Sequence, residues 1–297
     1  IKPLENDTYE AARAVISQLQ SAQDFEDDVE RNDYEIQIDK EQTIPVRIVR
    51  HPDKKGDLPI IFYIHGGGWI AGDRMTYDSL LRSLAKGTHG AVIFAEYTRV
   101  PEARYPTQLK ELWKVFESIL NNPGKYNVNP YKIVMAGDGT GANMAAVLTN
   151  YARKQGVNVN YQLLLYPTLD ANLRLDSYRQ FKQGPWITKE TMQWFWDSYL
   201  PDINMRNQAP ASPLLIPEHE LKGLPDTLVI TAENDITRDD GEEYARKLSD
   251  AGVNAVAVRF LGTIHDFLML EGLAHTAPTR ICLHLINTTL HEVLWGT

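Results

Sequence analysis

Cysteine is almost absent from this chain of 297 residues, which contains only Cys282. A single cysteine cannot form an internal disulfide, so the fold cannot depend on such a crosslink. Cys282 lies in an apolar helical pattern, which predicts a buried and unreactive thiol and argues against a cysteine nucleophile. The chemistry of this protein must therefore be sought in other residue types.

Stretches rich in lysine and arginine are also lacking, and the net charge at pH 7 is −9. Nucleic-acid binding needs a face of cations that neutralises phosphates, so the sequence predicts no nucleic-acid partner. A mildly acidic balance is otherwise ordinary in a soluble protein.

Apolar runs long enough to cross a membrane are missing as well. The N-terminus carries no apolar stretch of the signal-peptide type, which favours a cytoplasmic location, although the lack of an initiator Met leaves secretion open. His, Cys and Asp residues do not cluster at the spacing of metal ligands, so no metal or organic cofactor is expected. The sequence is compatible with a homodimer.

Short apolar segments alternate with helical patterns along most of the chain. This alternation indicates βαβ units and therefore an α/β fold, with a mostly parallel central sheet flanked by helices. Two earlier segments with one polar face, 34–38 and 44–49, predict an antiparallel hairpin, and residues 22–33 resemble a loop. Strands are predicted at 60–64, 91–97, 132–136, 161–166, 227–231 and 255–260, and helices at 9–19, 77–86, 107–120, 140–154, 240–251 and 277–294.

Residues 170–216 interrupt the alternation and are too long for a plain connection between strands. Open α/β sheets bind ligands at the carboxyl edge of the strands. We therefore expect residues 170–216 and about 1–30 to form a helical cap over an apolar pocket, within a single domain that spans 1–297. A helical insertion with its own small core is the plainer alternative, and a cap needs such a core too. The aromatic residues of the segment are Tyr178, Phe181, Trp186, Trp194, Phe195, Trp196 and Tyr199.

A glycine-rich loop, His65-Gly66-Gly67-Gly68-Trp69, follows the strand predicted at 60–64. Glycine allows backbone N–H groups to approach a ligand closely. Such a loop at the end of a central strand is suited to presenting donors to a developing oxyanion. A flexible turn is the plainer interpretation of a triple glycine taken alone.

A second glycine-rich segment, Gly137-Asp138-Gly139-Thr140-Gly141, lies between a predicted strand and a predicted helix. A strand, a sharp turn flanked by glycines and a helix are the context of the nucleophile elbow G-x-S-x-G, whose central serine attacks the substrate. The central residue here is Gly139, which has no hydroxyl group.

These motifs resemble those of the hormone-sensitive-lipase-like branch of the α/β-hydrolase family. The loop 65–69 is similar to its H-G-G-G motif, and the turn 137–141 to G-D-S-A-G except at the serine and the small residue after it. Residues 96–106 resemble its Y-R-x-x-P-E…P segment, residues 234–239 its D-P-L-R-D segment, and residues 265–267 its H-G-F segment. The resemblance covers most of the chain. It implies an α/β-hydrolase fold and hydrolysis of carboxylic esters through an acyl-enzyme.

Asp235 and His265 are the expected partners of position 139. Each falls just past the end of a predicted strand, and the chain order of nucleophile position, acid and histidine is that of α/β hydrolases. Asp235 would orient the imidazole of His265 and stabilise its protonated form. Gly139 would then mark the nucleophile position of an otherwise complete catalytic triad.

The resemblance also implies an oxyanion hole built from the N–H groups of Gly67, Gly68 and Thr140. Thr140 is not expected to replace the missing nucleophile, because it lies one residue past the apex of the turn and its side chain would point away from His265. The substrate pocket is expected to be lined by aromatic residues, namely Trp69, Trp186 and Trp194.

Three interpretations of Gly139 remain open. In the first, the chain is a carboxylesterase for small to medium acyl esters whose serine has been removed by engineering, which would leave it nearly without turnover. Alternatively, it is a natural pseudoenzyme or receptor that binds a small apolar ligand in the former active site. Third, residues 137–142 fit the dinucleotide fingerprint G-x-G-x-x-A. The acid that belongs with that fingerprint is missing, because Asp170 comes roughly ten residues too late.

Overall fold

The computed structural model describes residues 4–6, 8–21 and 28–296. Eight strands form one sheet in the order β1-β2-β4-β3-β5-β6-β7-β8. The strands are β1 (Glu30–Gln37), β2 (Thr43–Arg50), β3 (Leu58–Ile64), β4 (Ala91–Ala95), β5 (Val128–Asp138), β6 (Tyr161–Leu165), β7 (Asp226–Asn234) and β8 (Ala255–Ile264).

The sheet is parallel except at one end. β1 and β2 form an antiparallel hairpin, and β2 also pairs with β4 in the antiparallel sense. All the other neighbouring strands are parallel. The predicted α/β fold class, the mostly parallel sheet and the N-terminal hairpin are thus confirmed.

Helices cover both faces of the sheet, so its central strands are buried on both sides. Every residue of β3 is buried. Ile60, Phe62 and Ile64 belong to the apolar core on one face, whereas Ile61 and Tyr63 belong to the core on the other. This explains why the strand appears in the sequence as a continuous apolar run rather than an alternating one.

Six of the helices correspond to those predicted, with shifts of a few residues at their ends, and five more were not predicted individually. They are α1 (Tyr9–Leu19), α2 (Asp78–Thr88), α3 (Thr107–Asn121), α4 (Pro123–Tyr126), α5 (Gly139–Lys154), α6 (Asp176–Gln180), α7 (Lys189–Tyr199), α8 (Ile203–Arg206), α9 (Glu218–Leu221), α10 (Arg238–Asp250) and α11 (Ala277–Trp295). Short 3₁₀ turns lie at Leu4–Asn6, Pro213–Leu215 and Glu271–Leu273.

The loop predicted over 22–33 is wrong at its C-terminal end. Residues 30–33 belong to β1, where they pair with residues 47–50 of β2. β1 is an edge strand, and its Asp33 accepts two hydrogen bonds from Arg47 at 2.8 Å. Charged side chains are common on edge strands, which is why composition alone resembled a loop. Residues 22–27 lie outside the described part of the chain.

The segment 170–216 contains α6, α7 and α8, and the N-terminal helix packs against it. Tyr9 of α1 stacks on Trp194 of α7, with ring centroids 5.6 Å apart. Thr191 donates a hydrogen bond of 2.6 Å to Glu5 in the first 3₁₀ turn. The two parts of the expected cap therefore touch each other. Residues 1–3 and 7 of that expected cap, like 22–27, are not among the described residues.

None of the helices within residues 4–6, 8–21 and 28–296 is both long and apolar enough to cross a bilayer.

Candidate active site

The loop after β3 is fixed by a buried histidine. The ring of His65 stacks on Tyr97, with centroids 4.2 Å apart and planes within 10°, and it also stacks on Phe94. Burial lowers the pKa of His65 to about 3, with the positive charge of Arg99 acting in the same direction. His65 is therefore a neutral packing residue that positions the glycines following it.

Asp138 joins this loop to the turn after β5. Its carboxyl group accepts hydrogen bonds from the hydroxyls of Tyr63 and Tyr77, both at 2.8 Å, and from the amide of Gly66 at 3.0 Å. Burial raises the pKa of Asp138 to about 7, with the charge of Asp266 adding to the rise, although the three hydrogen bonds favour the ionised form. The two glycine-rich segments are thereby held as one unit.

Gly139 occupies the apex of the turn and begins α5. Its φ is +49°, in the left-handed region that glycine enters without strain. A Cβ placed on Gly139 would lie 3.1 Å from Nε2 of His265 and 3.7 Å from its Cε1. Apart from the chain neighbours and the backbone of α5, no other atom of the described residues would lie within 4 Å of it. A side chain at position 139 would therefore point directly at the imidazole.

Asp235 and His265 are brought together by the neighbouring strands β7 and β8. Asn234 pairs with Ile264 in the parallel register, so the residues that follow them emerge at the same edge. Nδ1 of His265 lies 2.8 Å from Oδ2 of Asp235. Thr237 fixes the carboxylate with its amide at 2.9 Å and its hydroxyl at 3.1 Å.

The His265 imidazole strongly favours its protonated form. Burial on its own would lower the pKa of His265, but the carboxylates of Asp235 and Asp266, with a smaller contribution from Asp138, raise it to about 9. The ring of Tyr166 packs against the imidazole at 5.0 Å. His265 is thus oriented through Nδ1, while Nε2 faces position 139.

The amides expected to hold an oxyanion are available as donors. Within the described ranges, no group accepts a hydrogen bond from the amide of Gly67 or Gly68. The Thr140 amide lies in the first turn of α5, where N–H groups have no acceptor within the helix. The Thr140 hydroxyl accepts a hydrogen bond from the Trp69 amide at 3.3 Å, so it faces the loop after β3 and not His265.

The three expected pocket tryptophans have different surroundings. A narrow cavity of about 20 Å³ is lined by Gly67, Trp186 and Asp266 together with residues of the N-terminal helix and α7. Trp69 is fully buried and stacks on Tyr199 at 4.0 Å, and Trp194 stacks on Tyr9. Trp69 and Trp194 do not line this cavity, because their rings are covered by those partners.

Two carboxylates near the site were not predicted from the sequence. Asp266 lies 3.6 Å from Nε2 of His265. Asp240 lies in the first turn of α10. It also accepts hydrogen bonds from the amides of Leu169 and Asp170 and from the hydroxyl of Tyr178. Asp266 could have been singled out from the sequence, because it is an acidic residue next to the expected catalytic histidine. No local sequence feature distinguished Asp240.

Within the described ranges, no group of three or more His, Cys, Asp or Glu side chains could hold a metal ion. His51, His89 and His291 lie in edge-to-face ring contacts 5.1 and 5.2 Å apart.

Comparison with known proteins identifies the family. A profile described as the alpha/beta hydrolase fold matches residues 61–269, which is more than two thirds of the chain. The chain belongs to the α/β-hydrolase family. Its motifs place this α/β hydrolase in the hormone-sensitive-lipase-like branch, in agreement with the resemblance drawn from the sequence.

The relatives of this α/β hydrolase include several esterases. It is 32% identical over 264 residues to the carboxylesterase NlhH of Mycobacterium tuberculosis, covering 88% of this chain and 83% of that protein. A thermostable esterase from Pseudomonas putida ECU1011, known from its crystal structure, superposes with a TM-score of 0.96 at 37% identity, covering 99% of this chain and 92% of that one. The thermophilic carboxylesterase EstE1, cloned from a metagenomic library, has a TM-score of 0.90 at 31% identity, covering 97% and 98%.

Proposed function

We propose that this α/β hydrolase is a carboxylesterase whose nucleophile position is occupied by Gly139, so that the protein is nearly inactive in this form. The observation that carries the proposal is the direction of the missing side chain. A Cβ at position 139 would face Nε2 of His265 at 3.1 Å, while Nδ1 of the same ring is bound by Asp235. This is the arrangement that a nucleophile, a base and its orienting acid require.

With a serine at position 139, the chemistry would follow from these contacts. The hydroxyl oxygen would attack the ester carbonyl carbon while Nε2 of His265 takes its proton. The amides of Gly67, Gly68 and Thr140 would hold the negative charge on the carbonyl oxygen. His265 would then pass its proton to the departing alcohol, and a water molecule activated by His265 would release the acid from the acyl-enzyme.

Without a hydroxyl at position 139, no acyl-enzyme forms there. By analogy with subtilisin, loss of the serine lowers turnover on the order of a millionfold, while binding and oxyanion stabilisation leave about a thousandfold acceleration over water. We therefore infer that this chain still binds esters although it hardly cleaves them. The oxyanion donors and the Asp235–His265 pair do not depend on the missing side chain.

The substrate side of the proposal rests on the cap. We propose that residues 170–216 and the N-terminal segment cover the carboxyl edge of the sheet within one domain. The contact between Tyr9 and Trp194 supports this arrangement, and Trp186 is the tryptophan best placed to contact a substrate. The aromatic side chains of the cap and the family resemblance favour small to medium acyl groups over long lipids.

The test compares this chain with its Gly139→Ser and Gly139→Ala variants on p-nitrophenyl acetate and butyrate. We expect Gly139→Ser to raise kcat by at least roughly a thousandfold, since the hydroxyl is the only missing part. Gly139→Ala is the matched control, because it introduces the same Cβ without a nucleophile and should remain at the level of the present chain. Adding His265→Gln to Gly139→Ser should abolish the gain.

A natural binding protein without hydrolytic activity is the second candidate. It is favoured by Asp266, whose Oδ1 lies 3.6 Å from Nε2 of His265, the atom that would have to accept the proton of an active serine. If the folded Gly139→Ser variant stays at background between pH 7 and about 10, the esterase proposal is contradicted. Measurements of small apolar ligands by calorimetry would then distinguish a receptor from an unrelated function.

A further inference from the structure

Asp266 places a second carboxylate against the imidazole of His265. Its Oδ1 lies 3.6 Å from Nε2, while Oδ2 of Asp235 lies 2.8 Å from Nδ1. The side chains of Asp235 and Asp266 are 0% and 8% exposed, so water screens neither contact effectively. The ring is therefore flanked by a negative charge at each nitrogen, and the two nitrogens are not equivalent.

The Asp266 carboxylate is held in place by the backbone and by Trp186. Asp266 has a φ of +62°, in the left-handed region that glycine enters more readily than other residues. The indole Nε1 of Trp186, whose own φ is +70°, donates a hydrogen bond of 2.8 Å to Oδ2 of Asp266. Strained residues of this kind persist only where their surroundings determine them. Oδ1 is left directed toward His265.

A side chain at position 139 and the carboxylate of Asp266 would therefore both approach Nε2 of His265. A base must present the Nε2 lone pair to a hydroxyl at position 139, whereas a carboxylate at 3.6 Å favours an N–H on Nε2. The other titratable groups that face the ring are Asp235 after β7, Asp138 at the end of β5 and Tyr166 after β6. The two further carboxyl groups also favour the protonated ring.

We propose that Asp266 is a positioning residue that keeps the proton on Nε2 of His265 and thereby confines the base function of this histidine to alkaline solution. The part of this inference that concerns catalysis rests on the proposed esterase function. The part that concerns the proton does not. In the family motif H-G-F, a glycine stands at this point, so the carboxylate is a departure of this chain from that motif.

The first experiment measures the proton itself. The His265 imidazole is titrated by NMR in ¹⁵N-histidine-labelled protein, and its signal is assigned with a His265→Gln variant. Asp266→Asn keeps the side-chain shape and the acceptor for Trp186 but removes the charge. We expect it to lower the titration midpoint of His265 by about one pH unit or more. A midpoint that does not move would overturn the proposal.

A matched control makes the same charge change away from the site. Asp39 in the turn between β1 and β2 accepts hydrogen bonds from the amides of Glu41 and Gln42 through one oxygen, which asparagine retains. Asp39→Asn should leave the His265 midpoint unchanged. If both substitutions shift the midpoint equally, the effect belongs to net charge and the role of Asp266 is refuted.

The second experiment measures the consequence for catalysis. Gly139→Ser is compared with Gly139→Ser/Asp266→Asn in pH profiles of kcat/KM on p-nitrophenyl acetate. Only neutral His265 accepts a proton, so activity rises with pH, and removal of the Asp266 charge should move this rise to lower pH. At pH 7 we expect roughly a tenfold gain. Asp266→Gly provides a second variant, because glycine adopts the positive φ without strain.

Together, the two experiments distinguish failure of the Asp266 proposal from failure of the esterase proposal. If Gly139→Ser hydrolyses esters with the same profile whether or not Asp266 is present, the esterase function stands and the role of Asp266 is wrong. If Asp266→Asn shifts the NMR titration and neither serine variant hydrolyses esters, the proton assignment stands and the esterase function is wrong.

Discussion

The outer and central glycines of the turn after β5 have very different surroundings. A Cβ on Gly137 would lie 2.7 Å from backbone atoms of Gly141 and Ile64, and a Cβ on Gly141 would lie 2.2 Å from the carbonyl oxygen of Ile64. Apart from its chain neighbours and its own helix, a Cβ on Gly139 would meet within 4 Å, among the described residues, only side-chain atoms of His265. The outer glycines are required by the contact between α5 and β3, whereas the central one leaves room for a side chain directed at the imidazole.

The difference separates two reasons for a glycine that look identical in a sequence. At Gly137 and Gly141 any side chain would collide with backbone, which cannot move without displacing a central strand. At Gly139 the limits are a backbone angle of +49° and one imidazole ring. Packing therefore explains the outer pair and does not explain the glycine at the apex.

Gly141→Ala is expected to have the largest effect on stability. The added methyl group would meet backbone at 2.2 Å, so α5 must move away from β3. We expect a loss of about 3 kcal/mol or more in the free energy of unfolding, measured by urea denaturation. Gly124→Ala is the control, since its Cβ would have no neighbour within 4 Å and its stability should change by less than about 1 kcal/mol. Equal effects at the two positions would contradict the packing argument.

His265→Gln sharpens the comparison, because His265 is the neighbour that the central glycine faces. The pKa of His265 is raised from 6.5 to about 9 in the folded protein. Its protonation therefore stabilises the fold fully below pH 6.5, and this contribution is lost as the pH rises through about 9. His265→Gln should thus reduce stability by a few kcal/mol at pH 6 and by clearly less at pH 10. Denaturation curves at the two pH values test this, and a larger loss at pH 10 would contradict the assignment of charge.

Gly139→Ser is expected to have the smallest effect on stability. The left-handed φ costs roughly 1–2 kcal/mol for a residue with a side chain, and His265 must yield by a few tenths of an ångström. The melting temperature should fall by a few degrees even if ester hydrolysis is restored. Gly139→Ala should fall by a similar amount, since the strain arises from Cβ and not from the hydroxyl. A clear rise in melting temperature for either variant would show that the turn is not strained.

Much of the fold was predictable because it depends on local patterns. The run Ile60–Ile64 indicated a strand covered on both faces, and residues 34–38 and 44–49 indicated the hairpin. The approach of Asp235 to His265 also follows from strand ends alone, since residues that leave adjacent parallel strands emerge at one edge. These features need only periodicity and topology.

The remaining features depend on contacts between distant segments. The place of Asp266 is determined by a hydrogen bond from Trp186, which is 80 residues away in sequence. Asp240 accepts hydrogen bonds from the amides of residues 169 and 170, and the sequence does not indicate where that backbone lies. The coverage of Trp69 by Tyr199 likewise cannot be deduced from aromatic content. Side-chain direction and backbone angle decided each of these cases, and neither has a signal in composition.

The narrow cavity beside Gly67 has a consequence for how a ligand would enter. Its volume of about 20 Å³ is room for about one water molecule, and Leu4, Ala12 and Ile16 close it from the N-terminal side. Arg13 anchors that side through an ion pair with Glu102 and a hydrogen bond to the Val100 carbonyl oxygen. An ester that binds in this cavity, as proposed above, would therefore select molecules in which these side chains have moved apart. The measured affinity is then the intrinsic affinity multiplied by the fraction of open molecules, so a substitution that loosens α1 would tighten binding without touching the ligand.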